Sequence, residues 1–250
     1  SSFIRKKTLK LCSWWFAYTQ LSSDYINSMG FSKEKITIVQ NSIDTLSFRK
    51  SIERVSDMER RSCLDLISSQ DDSSLGLFCG SFYGHKNFEF IFKVVDQIKE
   101  AVPDFKFIFI GSGPDLEKIE NFCRNRADYA FNLGFLENDE KAPWFSASSF
   151  MLNPGLVGLS IIDSFAAGIP IITTDAPIHS PEISYLEHGY NGLMFPNDPN
   201  VFAQNTIKLI KDPEYLTKLK RNSMISGETY TIETMVKNFS EGIENWSSLK

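Results

Sequence analysis

From Leu75 to Phe195 the chain repeats one pattern, a short apolar run closed by Gly, Asn or Thr and followed by an amphipathic stretch of helical length. The runs are LGLFCG (75–80), KFIFIG (106–111), YAFNLG (129–134), SSFMLN (148–153), IPIITT (169–174) and GLMF (192–195). Between them lie NFEFIFKVVDQIKEA, PDLEKIENFCRNR, NDEKAPWFSAS, SIIDSFAAG and PEISYLEHG, each with a cap or turn signal. Strand and helix alternating in this way place successive strands parallel, with helices over both faces of an apolar sheet. The expected fold class is α/β, a doubly wound, Rossmann-like parallel sheet. Such sheets bind ligands beyond the carboxyl ends of their strands, where the turns after 80, 111, 134 and 153 fall.

The flanks read differently. Residues 1–48 supply one aromatic-rich helical stretch (TLKLCSWWFAYTQLSSDYINSMG), one strand (KITIVQ) and a turn (NSIDTLSF), too little core to stand alone. They are expected to be the remnant of an amino-terminal domain; 49–227 form the ligand-binding domain, opened by a linking helix and a polar loop, and 228–250 a carboxyl-terminal helix. The chain begins SSFIRKK without an initiator Met, which suggests a fragment of a longer product. A formal net charge of −5 argues against non-specific nucleic-acid binding. The four cysteines, widely spaced in apolar contexts, read as reduced core thiols of a cytoplasmic protein. No apolar run approaches the ~18 residues of a membrane helix.

Candidate chemistry gathers in the turns. In NPGLVGLSIID, Gly155 and Gly158 leave backbone amides unobstructed ahead of a helix that Ser160 can begin, which suits a phosphate and equally a tight turn. Asp163, three residues on, could accept from vicinal sugar hydroxyls; by itself the spacing favours a capping box with Ser160. In CGSFYGHKNFEF, Lys86 opens a helix, where the dipole disfavours a cation, so a diphosphate partner is the better reading than a solvated lysine. His85 reads as structural or solvent-facing. GSGP is a stiff turn, with Pro114 opening the next helix, rather than a dinucleotide fingerprint. Gly134, Phe135 and Leu136 form an apolar ledge suited to a nucleobase or to plain packing. Asp-x-Asp, P-loop, nucleophile-elbow and HExxH motifs are all absent, which leaves metal-free diphosphate binding as the expectation.

The order of these motifs resembles the carboxyl-terminal half of a family 4, GT-B-fold glycosyltransferase, from about Ile36 to Trp246. TIVQNSIDTLSF is similar to the family's end-of-first-domain signature, FCGSFYGHKNFEF to its phosphate-lysine loop, FIFIGSGPDLEKI to its Gly-rich turn and FNLGFLEND to its base-binding segment. NPGLVGLSIIDSFAAGIPIITT is similar to its donor loop, and PEISYLEHGYNGLMF closes the domain. The resemblance implies that Lys86 and Asp163 carry the chemistry. Lys86, with Gly80 and Ser81 beside it, would meet the donor diphosphate, and the amides from Gly155 through Gly158 and Leu159 to Ser160 would cradle its phosphates. Asp163 would hold the ribose, and Gly134, Phe135 and Leu136 the base. Two positions depart from the family pattern: Gly155 replaces the first acid of an E-x7-E motif, and Ser81 replaces an Arg.

What the resemblance implies for function is retaining transfer of a hexose from a UDP- or GDP-sugar to a glycan or lipid-linked acceptor, in surface polysaccharide synthesis. Neither metal nor resident cofactor is expected. The further expected partners are the missing amino-terminal domain and, through IRKKTLKLCSWWF, the inner membrane face; the 250 residues alone are expected to bind nucleotide and transfer poorly or not at all. The rivals are an epimerase or phosphorylase of the same fold and a non-catalytic nucleotide-binding module.

Overall fold

The computed structural model describes residues 11–69 and 74–248. The expected membrane-facing stretch (4–16) lies mostly outside them, as does part of the polar loop before Leu75. Six strands form one all-parallel sheet: β3 (Leu75–Cys79), β4 (Lys106–Ile110), β5 (Ala130–Asn132), β6 (Phe150–Leu152), β7 (Ile171–Thr174) and β8 (Gly192–Phe195), in the order β5-β4-β3-β6-β7-β8. The doubly wound α/β fold read from the sequence is the fold observed. From β3 the chain winds outward through β4 to β5, then crosses back to lay β6 on the other side of β3. The switch point of the sheet therefore lies between β3 and β6, where ligand crevices of such sheets form.

Every residue of β3 and β6 is buried, and alternate side chains feed two separate cores. Phe78, Phe107, Phe109, Phe150 and Ile172 point to the face covered by α4 (Phe88–Ala101), α5 (Leu116–Arg124) and α8 (Pro199–Ile210). Leu75, Leu77, Ile108, Met151 and Ile171 point to the face covered by α2 (Thr45–Arg54), α3 (Asp57–Leu66), α6 (Asn138–Ala147) and α7 (Ser160–Ala166). The first core is a lattice of phenylalanines, with Phe107 and Phe109 edge-on at 4.9 Å and Phe92 stacked on Phe122 at 4.1 Å.

Several elements differ from the sequence reading, each for a local reason. The amino-terminal aromatic stretch is not one helix: Trp15–Ala17 is a strand, β1, paired in parallel with β2 (Ile36–Ile38), and α1 (Gln20–Ser28) follows behind its Thr19 cap. Bulky rings settle this, because Trp14 Nε1 donates to Thr37 Oγ1 at 2.9 Å and Phe16 stacks on Phe239 at 4.4 Å, contacts an extended backbone delivers. The linking segment is two helices, broken at Ser56 by a capping box with Glu59. PEISYLEHG makes only a 3₁₀ turn, Pro181–Tyr185, held where Asn41 donates to the buried Glu182 carboxylate at 2.6 Å. Pro114 precedes the cap Asp115 of α5 rather than opening the helix. Of the four cysteines, Cys12 is exposed rather than core, while Cys63, Cys79 and Cys123 are buried as expected.

The boundaries drawn at 48 and 227 fall inside α2 and α9 (Pro213–Thr229). The last helix, α10 (Ile232–Ser247), returns to the amino-terminal strands, and a β-carbon at its Gly242 would lie 2.5 Å from Thr37 Oγ1. Among the described residues no helix is long and apolar enough to cross a membrane.

The loops beyond the sheet are tied to one another by backbone. The Gly80 amide donates to the Ile110 carbonyl at 3.0 Å, the Phe82 amide to Ser112 at 2.8 Å, and the Gly111 amide to Gly134 at 2.8 Å. Gly111 has φ +147°, and a β-carbon there would sit 1.9 Å from the Gly80 carbonyl oxygen. Gly111→Ala is expected to cost about 3 kcal/mol or more of stability, because backbone cannot yield as a side chain can. Urea denaturation measures it, and a loss below ~1 kcal/mol contradicts the account.

Candidate functional site

The turns after β3 and β6 meet at the switch point. Gly155 is pressed backbone to backbone on the lysine loop: a β-carbon there would lie 2.4 Å from both the His85 oxygen and the Lys86 carbonyl carbon. The Leu156 amide donates to the His85 carbonyl at 2.9 Å, and the Lys86 ammonium donates to the Leu156 carbonyl at 2.5 Å. Hydroxyls of β7 hold the same loop from the other side, Thr173 to the Asn153 carbonyl at 2.8 Å and Thr174 to the Pro154 carbonyl at 2.7 Å.

Around this seam opens a cavity of about 390 Å³, lined by Gly80, Ser81 and Lys86 from the first loop and by Gly158, Leu159, Ser160 and Asp163 from the second. A second cavity of about 250 Å³ shares Gly80, Ser81 and Asp163 with it and extends to Phe135, Leu136 and Lys141. Together they form one cleft that gathers nine of the positions singled out in the sequence. Gly134 and Gly155 are not among the lining residues. The Gly134 carbonyl is taken by Gly111, and Gly155 is closed off by the lysine loop. Closure at 155 also answers the departure from the acidic pattern, since no side chain fits there in this packing.

Of the amides from 155 to 160, those of Leu156 and Val157 already have acceptors, His85 and His179. Those of Gly158, Leu159 and Ser160 make no hydrogen bond to protein among the described residues. The Ser160 hydroxyl accepts from Asn153 Nδ2 at 3.2 Å, which leaves its own proton for a ligand. No capping box forms with Asp163; the cap of α7 is Leu159, and the Asp163 carboxylate turns instead to Lys141.

Lys86 is 7% exposed and pairs with no carboxylate among the described residues. Burial pushes its ammonium down to about 8, with a small opposing pull from Cys79. The solvated-lysine reading is thus overturned by its burial. Burial raises the Asp163 carboxyl above its ordinary value, and the Lys141 ammonium, 3.4 Å away, works against that shift. Cys79, on the floor between them, is a thiol pushed up to about 12, chiefly by burial and then by the Asp163 charge. His85 is exposed, stacked on Tyr83 at 5.6 Å, and lines the first cavity.

Lys141 is the residue the sequence reading missed. It lies 4.3 Å over the Phe48 ring and faces an acid 22 positions away, so no local spacing could reveal it. Among the described residues no group of three or more His, Cys, Asp or Glu side chains could hold a metal.

Comparison with known proteins places the chain in a family. Residues 74–212, more than half of the chain, match the family model described as glycosyl transferases group 1. The chain is 23% identical over 209 residues to the alpha-monoglucosyldiacylglycerol synthase of Acholeplasma laidlawii, covering 82% of this chain and 51% of that protein. It spans about half the length of the curated relatives it matches. Its fold is similar to that of the sucrose-phosphate synthase of Thermosynechococcus elongatus, with a TM-score of 0.78 at 17% identity over 100% of this chain and 62% of that one. It is similar also to Anabaena HepE in complex with UDP, with a TM-score of 0.74 at 15% identity over 96% and 68% of the two chains. The order of motifs, the GT-B type of fold and the family match agree, and the chain belongs to the group 1 glycosyl transferases.

Proposed function

We propose that this chain binds the donor in a metal-independent, retaining glycosyltransferase that moves a hexose from a nucleoside-diphosphate sugar to a glycan or lipid-linked acceptor. The observation that carries the reading is Lys86, a buried cation without an acidic partner among the described residues, opening with unoccupied amides on the switch-point cleft. Lys86 and the amides of Gly158, Leu159 and Ser160 would hold the diphosphate, Asp163 the ribose hydroxyls, and Phe135 and Leu136 the base. Support for the ligand class comes from HepE, solved with UDP and with UDP-glucose; the lipid acceptor takes support from the Acholeplasma relative, named for diacylglycerol.

The chemistry asked of these residues is electrostatic. Negative charge grows on the diphosphate as the glycosidic bond breaks, so a fixed ammonium and aligned amides stabilise the transition state more than the ground state. Retention, with the departing diphosphate helping to deprotonate the acceptor, follows from the family resemblance. A cytoplasmic setting, a role at the inner membrane face and surface polysaccharide synthesis belong to the same proposal. One observation favours a second reading, a nucleotide-binding module without transfer: position 155, acidic in the family pattern, is closed to any side chain. Donor hydrolysis by the full-length protein decides against it; a protein that binds donor and never turns it over decides for it.

Three outcomes are expected. In a thermal-shift panel of UDP, GDP, ADP and CMP with and without Mg²⁺, one diphosphate raises Tm independently of magnesium, a ligand at 100 times its Kd adding about 2.7 kcal/mol. No shift from any of them sinks the proposal. Lys86→Ala lowers diphosphate affinity by about 1.5–3 kcal/mol in calorimetry. Unchanged affinity returns Lys86 to a structural role.

The third outcome concerns pH. In the ligand-free chain the Lys86 ammonium falls from an ordinary 10.5 to about 8, so its burial destabilises the fold fully below pH 8 and progressively less from there to 10.5. Lys86→Met is therefore expected to stabilise the ligand-free chain by roughly 1–3 kcal/mol at pH 7. Since the diphosphate selects the charged form of Lys86, the contribution of that residue to wild-type affinity is level below pH 8 and falls above it, by up to about tenfold per unit. Denaturation and titration calorimetry across pH 6.5–10 read both signs.

A further inference from the structure

His179 lies in the loop after β7 and reaches across to the loop after β6. Its Nδ1 accepts the Val157 N–H at 3.1 Å, and its Nε2 sits 2.7 Å from the Thr174 carbonyl oxygen. A peptide N–H only donates and a carbonyl only accepts, so both bonds exist together in one state alone: a neutral ring with its proton on Nε2. The other neutral tautomer would set N–H against N–H. The imidazolium has no lone pair on Nδ1 to offer.

The peptide held in this way has a particular place. Its own carbonyl, that of Leu156, receives the Lys86 ammonium, while the Val157 carbonyl takes the Ser180 amide at 2.9 Å and the Val157 side chain is fully buried. Immediately after Val157 come Gly158, Leu159 and Ser160, whose amides make no hydrogen bond to protein among the described residues. The ring therefore stands between the end of β7 and the point at which the loop enters the cleft.

We propose that His179 is a positioning residue, which fixes the Val157 peptide and through it aims the amides of residues 158–160 into the cleft. The inference deepens the diphosphate reading and rests on it. Two charged groups face the ring, Lys86 from the loop after β3 and Asp175 from the end of β7. Burial, assisted by Lys86, holds the ring below its ordinary value, while the Thr174 bond and Asp175 oppose. The strut is thus engaged at neutral pH and released only in acid, below the usual histidine range.

Two variants of the chain test this. His179→Gln offers an oxygen to Val157 and an N–H to Thr174 and cannot titrate; His179→Leu keeps bulk and offers neither. Amide hydrogen exchange of residues 155–160 is measured without ligand from pH 5 to pH 8 and corrected for intrinsic rates, and UDP affinity is measured alongside. At neutral pH the Leu variant is expected to exchange about tenfold faster and to bind UDP about tenfold more weakly, the Gln variant remaining within about threefold of wild type. On acidification the wild type is expected to lose protection and affinity relative to Gln, a ratio in which titration of UDP and of Asp163 cancels.

Identical pH profiles for wild type and Gln overturn the inference, as does wild-type protection in the Leu variant. Should the Leu variant not fold, the comparison of wild type with Gln decides. UDP that fails to bind wild type while the exchange pattern holds tells against the nucleotide reading and leaves the strut in place.

Discussion

The cleft depends on one contact, the seating of Gly155 on the backbone of His85 and Lys86. Two loops from neighbouring strands approach closely enough that the Leu156 amide reaches the His85 carbonyl and the Lys86 ammonium reaches the Leu156 carbonyl. A β-carbon at 155 would part them, and both hydrogen bonds would go with it. The sheet makes the approach possible by winding away from β3 and returning beside it, so two turns distant in sequence leave adjacent strands at the same edge. Glycine at 155 is thus a requirement of the seam and, at the same time, the reason an acid is absent there.

What the seam encloses is an electrostatic imbalance. Lys86 has a carbonyl for a partner and no carboxylate among the described residues, while Lys141 and Asp163 face each other at 3.4 Å across the second part of the cleft. A buried ammonium held this way destabilises the empty fold, and an anion arriving in the cleft relieves that strain. Sites that bind charge commonly store instability in this form. The same burial raises the Asp163 carboxyl and the Cys79 thiol and lowers Lys86 and His179, so one dry environment sets all four groups.

The sheet was legible because its strands are buried on both faces and read as continuous apolar runs between turns. The cleft-lining turns were legible for the same reason, since every loop at the carboxyl edge follows such a run. Legibility failed where the deciding partner lies far along the chain. Trp15 and Phe16 read as helical until β2 and Phe239 are brought against them. Ser160 and Asp163 read as a capping box until Lys141 takes the carboxylate. Gly155 read as part of an open phosphate turn, whereas the lysine loop occupies the space a side chain there would need.

The amino-acid sequence by itself determined the alternation of strand and helix, the parallel sheet and the turns that gather at its carboxyl edge, because hydrophobic period and turn chemistry are local properties. It determined also which residues stand in the turns at that edge. Only the tertiary structure decided that Lys86 is buried, that Lys141 answers Asp163, and that the amides of 156 and 157 are spent on His85 and His179 while those of 158–160 find no protein acceptor among the described residues. Burial and hydrogen-bond partnership are set by which chain segments crowd together at the switch point, and no spacing along one strand carries that information.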